Sequence, residues 1–259
     1  EMCLVLLAWR IHPRYPLIIA SNRDEYHARP SASIHRWKDY PNIVAGRDLE
    51  QLGTWMGATK SGRWAVVTNF REKKVTSNIV KSRGNLTKEF LTSDQAVESY
   101  ASSLEKKSSS YKGFNLLVGD TSSIQYVTNR HPDRVPHPQS IDTPGIYGLS
   151  NHLLDTDWPK VTNGKKSFAN LINNNEIIHF EEIVTLMSNS TQPDTEALPQ
   201  TGLAEEWERT LSPMFITSNE YGTRATSLLM VSRDTSKIEF SEMTFDKKGN
   251  ALTNQTIVV

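Results

Sequence analysis

The sequence predicts an α+β fold of two mainly antiparallel sheets covered by helices. Strand-like runs crowd both ends of the chain, and helical periodicity is confined to its middle. The order of strands, helix, strands, helices, strands lacks the regular alternation that a doubly wound parallel sheet requires.

Each element has its own signal. Residues 3–9 (CLVLLAW) form a short continuous apolar run closed by Arg10 and the turn-like His12 and Pro13, as in a strand buried on both faces. Leu17 to Ser21 follows at hairpin distance. Residues 53–59 and 64–69 make the clearest hairpin, around Lys60 to Gly62. Ala96, Val97, Tyr100, Ala101 and Leu104 repeat on one helix face, so Asp94 to Lys107 is expected to be helical and to cover one sheet, with Thr92 or Ser93 as N-cap. A second hairpin is expected from residues 114–119 and 124–128, and His131 to Pro144 reads as surface loop. Tyr147 to Asn151 reads as a strand end leading into a turn. Trp158, Val161, Phe168, Leu171 and Ile172 mark one further helix, and Phe180, Ile183, Val184 and Met187 another. Gln192 to Leu203 is polar loop, and Thr226–Val231, Lys237–Phe245 and Thr256–Val259 are closing strands. No linker separates two units, so residues 1–259 are expected to form one domain.

Composition narrows the function. With 37% hydrophobic residues over 259 positions, the chain can bury a core without disulfides or metals. The 29 basic and 29 acidic side chains cancel, which leaves no nucleic-acid footprint. A single cysteine forms no intrachain disulfide and fits a reducing compartment. No apolar run approaches the ~20 residues of a membrane helix, so stable membrane insertion is not expected, and a cytoplasmic location is. There is no phosphate-binding glycine loop and no zinc motif, so no cofactor and no metal are implied. His131 and His137 share a loop without metal spacing, and His27, His35 and His152 read as ordinary hydrogen-bonding residues.

Cys3 stands apart because it follows Met2 directly. If Met2 were removed, one residue would carry both a thiol and an α-amine with a reference pKa near ~7.7–8.0, a nucleophile and its own base. The plainer reading is a small residue packed in a strand. Arg23 and Asp24, in Ala20 to Glu25 at the end of the second strand, either tune that thiol and hold the amine or form a strand-end ion pair. Asn69, Asn151 and Arg224 sit at the ends of other apolar strands, where an amide can stabilise an oxyanion and a guanidinium can hold a carboxylate. As single residues they also serve in turns.

Taken together, Met2 to Val5, Ser21 to Pro30, Ala45 to Asp48, Gly53 to Gly57, Val67 to Arg71, Ser82 to Gly84, Gly148 to Asn151 and Tyr221 to Arg224 resemble the family named for its Asn-Arg-Asp-Glu motif, which includes transport-and-Golgi-organisation proteins. That family is similar to cysteine-type N-terminal-nucleophile hydrolases such as penicillin V acylase and bile salt hydrolase. The resemblance implies a four-layer αββα sandwich, with Cys3 as nucleophile and Arg23 and Asp24 as the active-site pair. It further implies an oxyanion contact near Asn69 or Phe70, Asn151 as the oxyanion amide and Arg224 as the late active-site arginine. Two readings follow. One is an amidohydrolase acting on a non-peptide amide or thioester of a small-molecule substrate. The other is a non-catalytic carrier of a small hydrophobic ligand of haem or lipid type, with Trp37, Trp55 and Trp64 as cleft walls or core residues. Neither reading specifies an oligomeric state.

Overall fold

A computed structural model of the chain describes residues 2–72, 81–132 and 138–259; His137 and part of the predicted 131–144 loop lie outside them. Thirteen described strands build two sheets in which every pairing is antiparallel. The first sheet contains β1 (Met2–Trp9), β2 (Leu17–Tyr26), β10 (Gly145–Leu149), β11 (Tyr221–Val231), β12 (Ile238–Phe245) and β13 (Ala251–Val258), in the order β10-β1-β2-β11-β12-β13. The second contains β3 (Ser31–Arg36), β4 (Ile43–Asp48), β5 (Met56–Thr59), β6 (Trp64–Asn69), β7 (Phe114–Gly119), β8 (Ile124–Thr128) and β9 (Gln139–Ser140), in sequence order. Helices α1 (Gly84–Thr92) and α2 (Val97–Lys107) cover the second sheet, and α3 (Pro159–Asn174) and α4 (Phe180–Met187) cover the first. A short helix α5 (Glu205–Thr210) leads toward β11.

Strand alternation explains the layering. Val5, Leu7 and Trp9 of β1 join the cluster between the sheets, whereas Leu4, Leu6 and Ala8 pack against α3 and α4. In β6, Trp64 and Val66 face the other sheet while Ala65 and Val67 face α1 and α2. A period of two with both faces apolar yields a continuous hydrophobic run, as the first strand predicted. The result is helices, sheet, sheet, helices.

Several sequence expectations shift. The predicted 94–107 helix starts at Val97, and Ala96, not Thr92 or Ser93, stands at its N-cap without a side-chain bond. Thr92 and Ser93 instead close α1, with Thr92 Oγ1 donating to the Lys88 carbonyl at 2.9 Å. Helices α1 and α5 and strands β3 and β4 have no counterpart among the sequence expectations, and β9 lies within the stretch read as surface loop, where its two exposed residues pair with β8. Part of the reason is that β3 carries Ser, His and Arg and is only half-buried. Strand β2 continues past the predicted end at Ser21 and runs through the Asn-Arg-Asp-Glu motif to Tyr26. Trp37, Trp55 and Trp64 are all buried.

Candidate active site

The buried polar residues concentrate at one end of β1 and β2. Cys3 is 3% exposed, and its Cα partner across the strand pair is Arg23. By alternation Cys3 shares the inter-sheet face with Val5, and Arg23 shares it with Ile19, so the two side chains are cross-strand neighbours. The Arg23 guanidinium lies over the Trp55 ring at 4.1 Å. Its Nη2 makes no hydrogen bond and stands 3.6 Å from Glu25 Oε2.

Asp24 is the register partner of Met2 and projects to the opposite face, toward α3. It is fully buried and accepts a 2.7 Å hydrogen bond from Thr223 Oγ1, while its Oδ2 has no hydrogen-bond partner. Desolvation raises its pKa to about 7, against the opposing charge of Lys160. Lys160 reaches this spot because α3 lies close on β10: a Cβ on Gly148 would stand 2.7 Å from Val161. Its Nζ donates to the Leu211 carbonyl at 3.0 Å, and burial lowers its pKa to about 8.

The loop after β10 is pinned from both sheets. Thr68 Oγ1 donates to the Ser150 carbonyl at 2.7 Å, the Arg71 amide to the Asn151 carbonyl at 2.7 Å, and Asn115 Nδ2 to the His152 carbonyl at 2.9 Å. Ser150 Oγ donates to the Cys3 carbonyl at 3.0 Å. The β10 ladder ends where Val5 pairs with Leu149, two residues before Asn151. Asn151 Nδ2 donates to the Asn69 carbonyl at 3.0 Å, which ties these two predicted site residues together. Just beyond Asn69, Arg71 Nη1 meets Glu208 Oε2 at 2.6 Å, with its guanidinium over Trp158 at 4.5 Å.

Arg224, expected as the late active-site arginine, lies near the start of β11. It sits in a bulge between Thr223 and Ala225, and its Nη1 donates to the carbonyls of Tyr26, His27 and Arg29 at 3.1, 3.2 and 3.4 Å. Three carbonyls of the turn after β2 thus hold it, beside a cavity of about 230 Å³ that it shares with Arg23, Trp55 and Glu242. Glu242, fully buried, accepts the Ile34 amide at 2.7 Å, and desolvation pushes its pKa up to about 7. A larger groove of about 720 Å³ follows α3 and is lined by Lys160, Asn163, Asn170, Asn189 and Gln192 among others.

The structure therefore brings Cys3, Arg23, Asp24, Asn69 and Asn151 to one end of the sandwich, with Arg224 in the bulge opposite Arg23 and Asp24. Sequence reasoning missed Lys160, Glu208 and Glu242, and it gave Arg71 no role. Lys160 and Glu208 lie on helices and Glu242 on a strand, and as charged residues on such segments they read as surface residues, with nothing local to mark them as buried.

The model of the family described as "Transport and Golgi organisation 2" matches residues 2–247. The chain belongs to the transport and Golgi organisation 2 family. Relatives within it include the human transport and Golgi organization protein 2 homolog, 30% identical over 253 residues covering 90% of both chains. The transport and Golgi organization protein 2 of Drosophila melanogaster is 26% identical over 271 residues, covering 94% of this chain and 92% of that one. Among solved structures, penicillin V acylase from Agrobacterium tumefaciens aligns with a TM-score of 0.53 at 11% identity, over all of this chain and 86% of its own. A mutant conjugated bile acid hydrolase from Clostridium perfringens aligns at 0.52 with 9% identity, over all of this chain and 96% of its own. Members of the transport and Golgi organisation 2 family thus include a chain with the fold of these hydrolases. Among the described residues, no helix is long and apolar enough to cross a membrane.

Proposed function

We propose that this protein is a cysteine N-terminal-nucleophile amidohydrolase of a small-molecule amide or thioester, active once the residues before Cys3 are removed. The observation that carries the reading is the pairing of Met2 with Asp24 and of Cys3 with Arg23 on adjacent strands. Removal of Met2 would leave the Cys3 α-amine beside a buried carboxylate and its thiol beside a guanidinium. The cation favours the thiolate, and the carboxylate accepts a hydrogen bond from the amine.

Attack begins when the Cys3 thiol gives its proton to the α-amine and Sγ bonds to the substrate carbonyl carbon. Asn151 has a second amide N–H beyond the one given to Asn69, and this would stabilise the oxyanion. The C–N bond then breaks as the α-ammonium returns the proton to the leaving nitrogen, and a thioester remains on Cys3. Water attacks that thioester with the amine as base, releasing the acid and restoring the thiol. For a thioester substrate, the leaving sulfur takes the proton instead. The cavities beside this end mix apolar walls with charged groups, Lys160 and Lys166 in one and Arg23, Arg224 and Glu242 in the other, and those charges could hold a polar substrate group.

The test compares protein beginning at Cys3, protein retaining Met2, and Cys3→Ala, each incubated with acyl amides and acyl thioesters. Only the first is expected to turn over and to show a transient acyl mass on Cys3. Equal turnover with Met2 retained removes the α-amine from the mechanism, and equal turnover in Cys3→Ala removes the nucleophile.

A further inference from the structure

An open sheet edge offers unpaired backbone groups to any other strand, and three of the four edges here are blunted. On β10, the Gly148 amide donates to Asp155 Oδ1 at 2.8 Å, and the Asp155 amide donates to the Gly148 carbonyl at 2.8 Å. On β3, the Ile34 amide donates to Glu242 Oε1 at 2.7 Å, and the Ile34 carbonyl accepts from Gln255 Nε2 at 2.7 Å. Strand β9 is only two residues long. The fourth edge is β13, eight residues long.

The register shows which groups β13 leaves open. The Val259 amide donates to the Ile238 carbonyl at 2.9 Å, so these two residues are a hydrogen-bonded pair, and such pairs alternate along an antiparallel ladder. Ile257 and Gln255 therefore turn their backbone groups to β12, and Val258, Thr256 and Asn254 turn theirs away from it. Arg36 Nη2 donates to the Val258 carbonyl at 3.5 Å. Among the described residues, nothing meets the outward N–H and C=O of Asn254 and Thr256. From Ala251 to Val258 there is no charged residue and no proline, the two devices that commonly keep edges apart, and Leu252 and Val258 are 63% and 54% exposed.

We propose that β13 is a dimer interface, pairing antiparallel with β13 of a second copy about a two-fold axis through Gln255. A strand paired with itself in this way is self-complementary, so one segment supplies both halves of a closed interface. The open groups set the axis. With Gln255 opposite Gln255 of the second copy, Asn254 stands opposite Thr256, and their outward amides and carbonyls exchange two hydrogen bonds on each side of the axis. The same register sets Leu252 opposite Val258, the two exposed aliphatic residues of the strand. No like charges meet along the pairing, and the sheets of the two copies become continuous. Leu252 and Thr253 also line the 230 Å³ cavity that holds Arg23 and Arg224, so the second copy lies at the rim of that cavity. The proposal stands apart from the hydrolase reading of Cys3.

Analytical ultracentrifugation of the full chain tests the pairing. Between about 1 μM and about 1 mM, where modest interfaces associate, the mass is expected to rise from 29.3 kDa toward twice that value. Thr256→Pro deletes one outward amide and no hydrogen bond to β12, so it is expected to stay monomeric over the same range with an unchanged circular dichroism spectrum. Should Thr256→Pro fail to fold, Asn254→Lys takes its place, since it puts a charge on each side of the axis, and a monomer is again expected. The axis is read separately by Gln255→Cys in a Cys3→Ala background, where the introduced thiol is the only one. Residues opposed in a non-hydrogen-bonded pair have Cα atoms about 4.5 Å apart, within reach of a disulfide. Mild oxidation is therefore expected to give a covalent dimer. A wild-type chain that stays monomeric throughout overturns the proposal. So does a dimer that persists in the folded edge variant, because another face then holds the copies. A dimer that forms no disulfide at Gln255→Cys overturns the two-fold axis proposed.

Discussion

The two ends of the β1–β2 pair are equally buried and chemically opposite. At one end Leu7, Trp9, Leu17 and Ile19 fill the space between the sheets with hydrocarbon, and Leu6, Ala8 and Ile18 do the same under α3. At the other end, Cys3, Arg23, Asp24 and Glu25 occupy the same two strands at 3% exposure or less. Burying a charge costs free energy unless it is paired, and even a paired charge is often no better than an apolar replacement. The apolar end is what a fold needs. The polar end carries a cost that stability alone does not explain, and this argues for chemistry there.

The widest contrast comes from one substitution at each end. Leu6→Ala removes a fully buried side chain packed under α3 and is expected to cost about 2–5 kcal/mol in urea unfolding. Cys3→Ala should cost about 1 kcal/mol or less yet abolish acyl transfer in the form beginning at Cys3. If Cys3→Ala proved as destabilising as Leu6→Ala, the two ends would not differ in purpose, and Cys3 would be a packing residue.

A somewhat smaller loss follows from Glu208→Ala. Glu208 neutralises Arg71 at 2.6 Å and also accepts from Thr201, and both partners of the ion pair are buried. Removing one member of such a pair typically costs about 3–5 kcal/mol, and α5 is short, so some of that is relieved by local opening. The expected result is a drop in the urea midpoint together with loss of order at α5 in hydrogen exchange. A midpoint equal to that of the wild type would mean that Arg71 finds another partner.

The pH dependence separates the ends without any mutation. Glu242 titrates near 7 when folded, well above the usual 4.5 of an open carboxyl, because burial disfavours its charge. Between about 4.5 and 7 the folded chain therefore holds a proton that the unfolded chain has released, so stability falls as pH rises through that window. Asp24 acts in the same direction. Lys160 is lowered from 10.5 to about 8, so between those values the unfolded chain binds the extra proton and stability rises with pH. These three groups together place a stability minimum between about 7 and 8. Glu242→Gln should flatten the acidic side and Lys160→Met the alkaline side of a urea-midpoint profile. A profile that is flat for the wild type would mean that water reaches these groups.

The same contrast shows what the sequence made legible. The apolar end could be read directly, since runs such as residues 3–9 and 64–69 have both faces buried and stand out as strands. Cys3, Arg23, Asp24, Asn69 and Asn151 could be picked out because each lies at the end of an apolar run or inside a recognisable motif. Lys160, Glu208 and Glu242 could not, because their burial comes from long-range packing: α3 resting on Gly148, and β12 crossing to the Ile34 amide. A charged residue on an amphipathic segment looks solvent-facing until its neighbours are known. Arg224 was legible as a residue of interest, but its direction was not, since a β-bulge turns it onto the carbonyls after β2.

The smallest expected effect tests whether burial, rather than ion pairing itself, distinguishes the two ends. Arg47 and Asp39 form a two-pronged pair with both N–O distances at 2.7 Å, close to the 2.6 Å of the Arg71–Glu208 pair. Yet the Asp39 side chain is 45% exposed, and Arg47 also rests over Trp37 at 4.2 Å. Hydrogen bonds from Arg47 hold the Asp39 carboxyl below its usual range, but water and salt screen most of that gain. Asp39→Asn is therefore expected to cost less than about 1 kcal/mol, and the cost should vanish in 1 M salt, where the screening length is about 3 Å. Arg47→Ala should cost more than Asp39→Asn, because it also uncovers the Trp37 ring. Were Asp39→Asn as damaging as Glu208→Ala, the geometry of the pair would matter more than its surroundings. Buried charge at the Cys3 end would then be no sign of a functional site.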